Sequence, residues 1–496
     1  MTRAIMLQGT GSDVGKTVLV AGLCRLARHR GLDVAPFKPQ NMSNNAAIAS
    51  NGKGGQGEIG RAQWLQAFAS EREPTVHMNP VLLKPQSETG SQIVLRGQVV
   101  GTARGRDYQR LKAGLLREVL ESYRKLEQDA DLIIVEGAGS PAEVNLRSGD
   151  IANMGFACAA NVPVVLVGDI DRGGVIASLV GTHTVLDPED RAMIKAFLIN
   201  KFRGDVSLFD EGLRIVTQHT GWPSLGVVPW LGETRDLPAE DSVILERLSN
   251  DFMALAKAVK VVVPVLGRIA NFDDLDPLRA EPGVKVVMVR KGEAMPDDAD
   301  VILLPGSKAT LADLAELRSN GWDRSITKAR SQGKRIVGIC GGYQMLGRTV
   351  SDPYGIEGGG RADGLGLLEV DTVLEQEKTT RLTCARSLKH DVPVSGYEIH
   401  LGRTEGADRD RAPFVANGST EGAASRDGKV WGTYLHGAFD GGPFRQAWLA
   451  EIGVASDGGN HHDRIDAALD AIAARLDALV DFDELLGIAA ERGGRR

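Results

Sequence analysis

A chain of 496 residues exceeds what one hydrophobic core organises, so two or three domains are expected. With 42% hydrophobic and 25% charged residues the composition is globular, and a net charge of −7 offers no basic footprint for nucleic acid. Cys24, Cys158, Cys340 and Cys384 share no metal-ligand spacing and are too few for a disulfide framework, which fits a reducing cytoplasm. No run of about eighteen apolar residues predicts a membrane span.

Ala4-Ile5-Met6-Leu7 reads as a first strand, not as a signal peptide, because it leads straight into Gly9-Thr10-Gly11-Ser12-Asp13-Val14-Gly15-Lys16-Thr17 and then into a helical pattern. Strand, glycine loop and helix make a phosphate cradle. Loop N–H groups close around phosphate oxygens, Lys16 adds a point charge at the β and γ phosphates, and the Thr17 hydroxyl can ligate Mg²⁺. Strict Walker spacing would place glycine at position 10, where this chain has Thr10. The loop resembles that of dethiobiotin synthetase and its relatives, which activate carboxylates with ATP.

A second strand, Val34-Ala35-Pro36-Phe37, ends at Lys38, a candidate for the transferred phosphoryl group or its acceptor carboxylate. An amide-rich stretch follows, in which Asn41 and Asn44 are substrate candidates. Leu132-Ile133-Ile134-Val135 predicts a buried strand, and Glu136 at its end is the Mg²⁺ candidate. The next strand, Val162 to Gly168, leads into Asp169-Ile170-Asp171-Arg172. There Asp169 or Asp171 could bind metal or orient a carboxylate, Arg172 could clamp acidic groups, and a turn capped by Asp171 is the plainer alternative. Asn200-Lys201 after another strand is the kind of loop that holds a purine base. Strands alternating with helices predict a doubly wound parallel sheet over residues 1–237, followed by a polar linker, 238–257.

A new α/β pattern fills residues 258–450, beginning with the valine runs near 261 and 284 and with Val301-Ile302-Leu303-Leu304. Val337-Gly338-Ile339-Cys340-Gly341-Gly342-Tyr343-Gln344 is a strand that stops at a glycine-flanked cysteine and turns helical. A helix N-terminus favours thiolate, and the Gly341 N–H is half of a candidate oxyanion hole. This stretch resembles the G-x-C-x-G-x-Q elbow of class I glutamine amidotransferases, whose cysteine attacks the glutamine side-chain amide. The resemblance implies a second oxyanion N–H at Gly306 or Ser307 and a glutamine contact at Gln344. Val430 to His436 reads as one strand ending in the base, His436. The usual His-x-Glu acid fails because residue 438 is alanine, so the third member is Asp440 or the site is a Cys-His dyad. Glu398 and His400 could orient His436, line a domain interface or face solvent. Residues 451–496 form a helical extension. Ile465, Leu469, Ile472, Leu476 and Leu479 give it one apolar stripe, packed on the body or serving as the seam of a homodimer.

The loop after Lys38, Glu136-Gly137-Ala138-Gly139-Ser140-Pro141, Asp171-Arg172-Gly173-Gly174, Asn200-Lys201-Phe202-Arg203-Gly204, Pro305-Gly306-Ser307-Lys308 and Gly396-Tyr397-Glu398-Ile399-His400 together resemble the cobyric acid synthase family over nearly the whole chain. The resemblance implies an α/β protein with an N-terminal P-loop-type sheet and a C-terminal flavodoxin-like amidotransferase domain. It further implies ATP, Mg²⁺, glutamine and adenosylcobyrinic acid a,c-diamide as cofactors and partners, with cobalt only inside the corrinoid substrate. The b, d, e and g carboxylates would be amidated by ammonia from glutamine. The alternatives are the sister cobyrinic acid a,c-diamide synthase, and a P-loop ATPase with an amidotransferase-like binding module.

Overall fold

A computed structural model describes residues 2–86, 90–238 and 258–491. The expected linker therefore lies, from residue 239 to residue 257, outside the described residues. The chain divides into two units: Met1–Ser43, Ala49–Leu237 and Ile465–Arg496 form the first, and Asn44–Ile48 and Pro238–Arg464 the second.

The first unit is built on six parallel strands in the order Ser224–Pro229, Ile194–Phe202, Val164–Asp169, Arg3–Gly9, Leu132–Glu136, Val34–Phe37. The inner strands carry apolar runs such as Ala4 to Leu7, Leu132 to Val135 and Val164 to Val167, as parallel strands covered on both faces do. The first strand lies between Leu132–Glu136 and Val164–Asp169: the chain winds from it to Val34–Phe37 on one side and later crosses from Leu132–Glu136 to Val164–Asp169 on the other, and this change of direction opens a crevice at its carboxyl end. Register fills that crevice. Leu7 pairs with Glu136, Phe37 pairs with Val135 so that Lys38 follows beside Glu136, and Asp169 pairs with Asn200. The amide-rich stretch after Lys38 is not all loop: Gln40–Met42 is an edge strand of a separate sheet with Val81–Pro85, Gly90–Leu95 and Gln98–Arg104.

The apolar stripe of the C-terminal helix His461–Leu479 is spent inside this unit. Ile465, Leu469, Ile472 and Leu476 are fully buried in one cluster with residues of the helix Lys16–His29. Gly22 permits the approach, since a Cβ there would lie 2.6 Å from both Ile472 and Leu476. At one end of the contact Arg25, itself buried, bonds Asp466 at 2.6 Å and Asp470 at 3.0 Å.

The second unit has five parallel strands in the order Val284–Val289, Val259–Pro264, Val301–Leu304, Arg335–Ile339, Val430–Thr433, with Ala423–Ala424 antiparallel at the edge. A second, seven-stranded sheet contains the long hairpin Asp371–Ser387 and Pro393–Glu405. The stretch Val430 to His436 is not one strand. It changes sheets at Tyr434, and Leu435–His436 pairs antiparallel with Tyr397 and Glu398. Among the described residues no helix is long and apolar enough to cross a membrane.

Replacing Leu476 by Ala is expected to destabilise the first unit by about 2–5 kcal/mol, the usual cost of a cavity at a fully buried leucine. Equilibrium denaturation, read as a lower midpoint, checks it.

Candidate functional site

The phosphate loop follows from where its backbone turns. Asp13 at φ 57° and Gly15 at φ 90° are its left-handed positions, and Thr10 is not one, so a side chain at position 10 costs no backbone strain. The Thr10 N–H is held by Val167 O at 2.9 Å. Gly11 and the exposed Ser12 form the outer turn, and Lys16 folds back towards Gly11 O and Gly139 O at 3.4 and 3.5 Å. Gly15 must lack a Cβ because one would fall 2.4 Å from Asn200 Nδ2, which donates to Val14 O at 2.8 Å. Asn200 thus braces the loop.

Glu136, almost fully buried, is the hub of this site. Its Oε1 accepts from Thr17 Oγ1 at 2.8 Å and from Lys38 Nζ at 2.9 Å, while Oε2 accepts from Gln66 Nε2 at 2.5 Å. The adjacent hydroxyl and carboxylate oxygens of Thr17 and Glu136 are hard donors that suit Mg²⁺ sharing its shell with phosphate. Among the described residues there is no cluster of three or more His, Cys, Asp or Glu that would cage a metal by itself. Gln66, which sequence reading passed over, completes the hub from the helix Arg61–Ala69.

Of the other candidates, Asp169 accepts from Lys201 Nζ at 3.0 Å, and Arg172 bonds Asp13 of the phosphate loop at 3.2 Å. Asp171 is not a helix cap. The next helix starts at Val175 behind Gly174, and Asp171 instead accepts from Arg203, which holds its carboxyl below the usual range. Asn41 donates to Gln63 at 2.9 Å, whereas Asn44 opens the segment that belongs with the second unit.

In the second unit three adjacent strands deliver the elbow, the oxyanion turn and the histidine. Cys340 sits at φ 51° and ψ −108°, a strained conformation for a non-glycine residue, worth about 1–3 kcal/mol. Its neighbours are shaped to hold it there: a Cβ on Gly342 would fall 2.1 Å from Leu304 O, and one on Gly341 would fall 2.7 Å from Ser307 N. The second figure also shows how close the Gly341 and Ser307 backbones come, which suits two N–H groups converging on one oxygen. Gly306 lies beside the base, since its missing Cβ would be 3.2 Å from His436 Cε1. Ser307 Oγ donates to Asp313 at 2.6 Å, and burial pushes the Asp313 carboxyl up to about 7. Gln344 is buried between Thr310 Oγ1 at 2.8 Å and the Tyr434 hydroxyl at 3.3 Å.

His436 is buried and stacked on Tyr397 at 5.2 Å, while the Cys340 thiol donates to Ile399 O at 3.8 Å. Its Nδ1 lies 2.7 Å from Asp274 Oδ2, and Asp274 Oδ1 also accepts the Gly437 N–H at 2.6 Å. The acid partner is therefore Asp274, 162 residues upstream, not Asp440 and not a dyad. The main-chain N–H of Asp440 turns back to Gly437 O and its carbonyl receives His461. Glu398 and His400 bond each other at 3.4 Å, and His400 stacks on Tyr434 at 3.8 Å; the oxygen facing the His436 ring is Asp274's. Burial works against charge on His436, but the Asp274 carboxylate, its bond to the ring and the nearby Cys340 outweigh it and raise its pKa to about 10. A raised histidine stabilises the fold fully below its ordinary 6.5 and loses that contribution as pH rises through about 10.

A cysteine, histidine and aspartate beside the closely approaching Gly341 and Ser307 backbones, with a P-loop crevice in the other unit, are the marks of a glutamine amidotransferase joined to a nucleotide-using domain. Comparison with known proteins agrees. Residues 5–244 match the CobQ/CobB/MinD/ParA nucleotide binding domain, and residues 260–444 match the CobB/CobQ-like glutamine amidotransferase domain. Cobyric acid synthase of Sinorhizobium medicae (strain WSM419) is 62% identical over 491 residues, covering 98% of this chain and 100% of the relative. That of Allorhizobium ampelinum is 61% identical with the same coverage, and that of Rhizobium meliloti (strain 1021) 62% identical over 97% of this chain and 98% of the relative. The chain belongs to the cobyric acid synthase family and is a glutamine-dependent amide ligase.

Asp274→Asn should lower glutamine hydrolysis by roughly 10²- to 10⁴-fold, as loss of the orienting acid does in other triads, whereas Asp440→Asn should leave it nearly unchanged. Steady-state glutaminase assays check both. Glu136→Gln should abolish corrinoid-dependent ADP formation while free glutaminase activity persists.

Proposed function

We propose that this enzyme amidates the b, d, e and g carboxylates of adenosylcobyrinic acid a,c-diamide, using ATP and ammonia drawn from glutamine. The observation that carries the chemistry is the pairing of a buried Cys340–His436–Asp274 set with the Lys16–Thr17–Lys38–Glu136 cluster in one chain. The choice of corrinoid rests on the identity with cobyric acid synthases over their full length.

In the glutaminase, the proton of the Cys340–His436 pair rests on the imidazole, held there by Asp274, and the Cys340 sulfur attacks the side-chain amide carbon. The oxyanion is met by the Gly341 and Ser307 N–H groups. His436 then protonates the departing nitrogen, which leaves as ammonia, and water releases glutamate from the thioester. In the synthetase, a substrate carboxylate attacks the γ-phosphorus of ATP bound in the loop from Thr10 to Thr17. Lys16 and Lys38 compensate the negative charge there. ADP departs, and ammonia displaces phosphate from the acyl phosphate to form the amide. Mg²⁺, which Thr17 and Glu136 would hold, supplies charge neutralisation at the phosphates. Asn41, Asn44, Asp169, Asp171 and Arg172 remain the candidates for contacts with the corrinoid or the phosphoryl group. All four cysteines are free, which supports a reducing compartment.

Mass spectrometry of the corrinoid incubated with protein, ATP and Mg²⁺, with glutamine or ammonium, tests the proposal. Four successive carboxylate-to-amide conversions are expected, and Cys340→Ala should lose only the glutamine-driven reaction. Unchanged a,c-diamide with both nitrogen sources would overturn the assignment of substrate.

A further inference from the structure

One buried carboxylate behind the glutaminase has no part in the chemistry above. Glu421, in the strand Ser419–Glu421, receives hydrogen bonds on both oxygens: Oε2 from the Thr433 hydroxyl, and Oε1 from the Tyr434 N–H at 2.7 Å. Those two residues flank the point where the chain leaves the parallel sheet for the antiparallel one. Thr433 closes Val430–Thr433, and Leu435–His436 begins two residues later. The Thr433 hydroxyl accepts the Leu435 N–H at 3.0 Å, so its own proton is directed at Glu421. The Thr433 carbonyl receives the Cys340 N–H at 2.8 Å. The Tyr434 hydroxyl continues the network to Thr404 at 2.6 Å and to Gln344 of the elbow helix at 3.3 Å. Glu421 thus grips a bend bonded on one side to the nucleophile and followed on the other by the base.

We propose that Glu421 is a positioning residue of the glutaminase: by pinning Thr433 and Tyr434 it fixes the bend that sets His436 against Cys340. This rests on the glutaminase reading given above. Neither Thr433 nor Tyr434 carries charge, so they satisfy the carboxylate without neutralising it. Glu421 lines a cavity of about 310 Å³ with Tyr343, Arg381, Glu398, His400, Arg409 and Tyr434. Burial pushes the Glu421 carboxyl up to about 7, and Glu398 adds to the rise, while Thr433, Tyr434 and Arg409 oppose it. Because both oxygens must accept, the ionised form fits the bend. Protonation as pH falls through about 7 loosens it, and glutaminase turnover declines on the acid side.

The test uses the full chain with Glu421→Gln and, as a milder cut of the same link, Thr433→Val. In both, kcat for glutamine hydrolysis is expected to fall roughly tenfold to hundredfold, the usual scale for misplacing a reacting group, with KM for glutamine and the ammonium-driven amidation rate unchanged. The fall of kcat near pH 7 should flatten in Glu421→Gln and persist in Asp313→Asn, which alters another carboxyl that burial raises to about 7. An unchanged kcat in both variants, a rise in KM without loss of kcat, or loss of the ammonium-driven reaction in both would each overturn the proposal. A native enzyme without glutaminase activity would instead remove the reading on which it stands.

Discussion

The strained backbone of Cys340 is the constraint around which the second unit is organised. A left-handed φ on a residue with a side chain persists only where the surroundings over-determine it. Here they do so by close approach: Gly342 lies against Leu304, Gly341 against Ser307, and Gly432, on the neighbouring strand, against Tyr343. Each contact excludes even a methyl group, so the turn cannot relax without separating adjacent strands. The same contacts bring Ser307 and Gly341 close enough for their N–H groups to share an oxygen. Strain, the candidate oxyanion hole and sheet packing are one arrangement.

The first unit meets its chemical demand differently. Its loop uses a glycine and an aspartate where left-handed backbone is needed, and it relies on a single buried carboxylate, Glu136, shared among Thr17, Lys38 and Gln66. Burying that charge is tolerable because a lysine and two neutral donors surround it.

Much of this could be read from the amino-acid order, because strand ends and glycine turns are local. The phosphate loop, Lys38, Glu136 and the elbow all sit at the ends of apolar strands, where the alternation of strand and helix places them, and His436 follows the last of the parallel strands by three residues. Asp274 could not be found that way. It lies on a short 3₁₀ turn, Phe272–Leu275, in the acidic run Asp273-Asp274-Leu275-Asp276, and only the three-dimensional path brings it to a histidine 162 residues away. The bend at Tyr434 was hidden for a related reason. Val430 to His436 is apolar enough for one strand, and the change of sheet is set by partners on other segments, Glu421 and Tyr397 among them.

The helix His461–Leu479 also bears on how such an enzyme can be taken apart. Residues from Ile465 onward complete the core of the unit that begins at the N-terminus, so this unit is discontinuous in the chain, interrupted by the amidotransferase. Ending the chain at Leu237 would strip the phosphate-loop helix of its cover and expose Leu19, Leu23 and Leu26 to water. A separable synthetase therefore needs the C-terminal helices reattached after Leu237, as in a permuted chain, and a gene encoding it cannot be divided by a single cut. The two activities are bound into one polypeptide by nesting, with the glutaminase as an insertion in the synthetase.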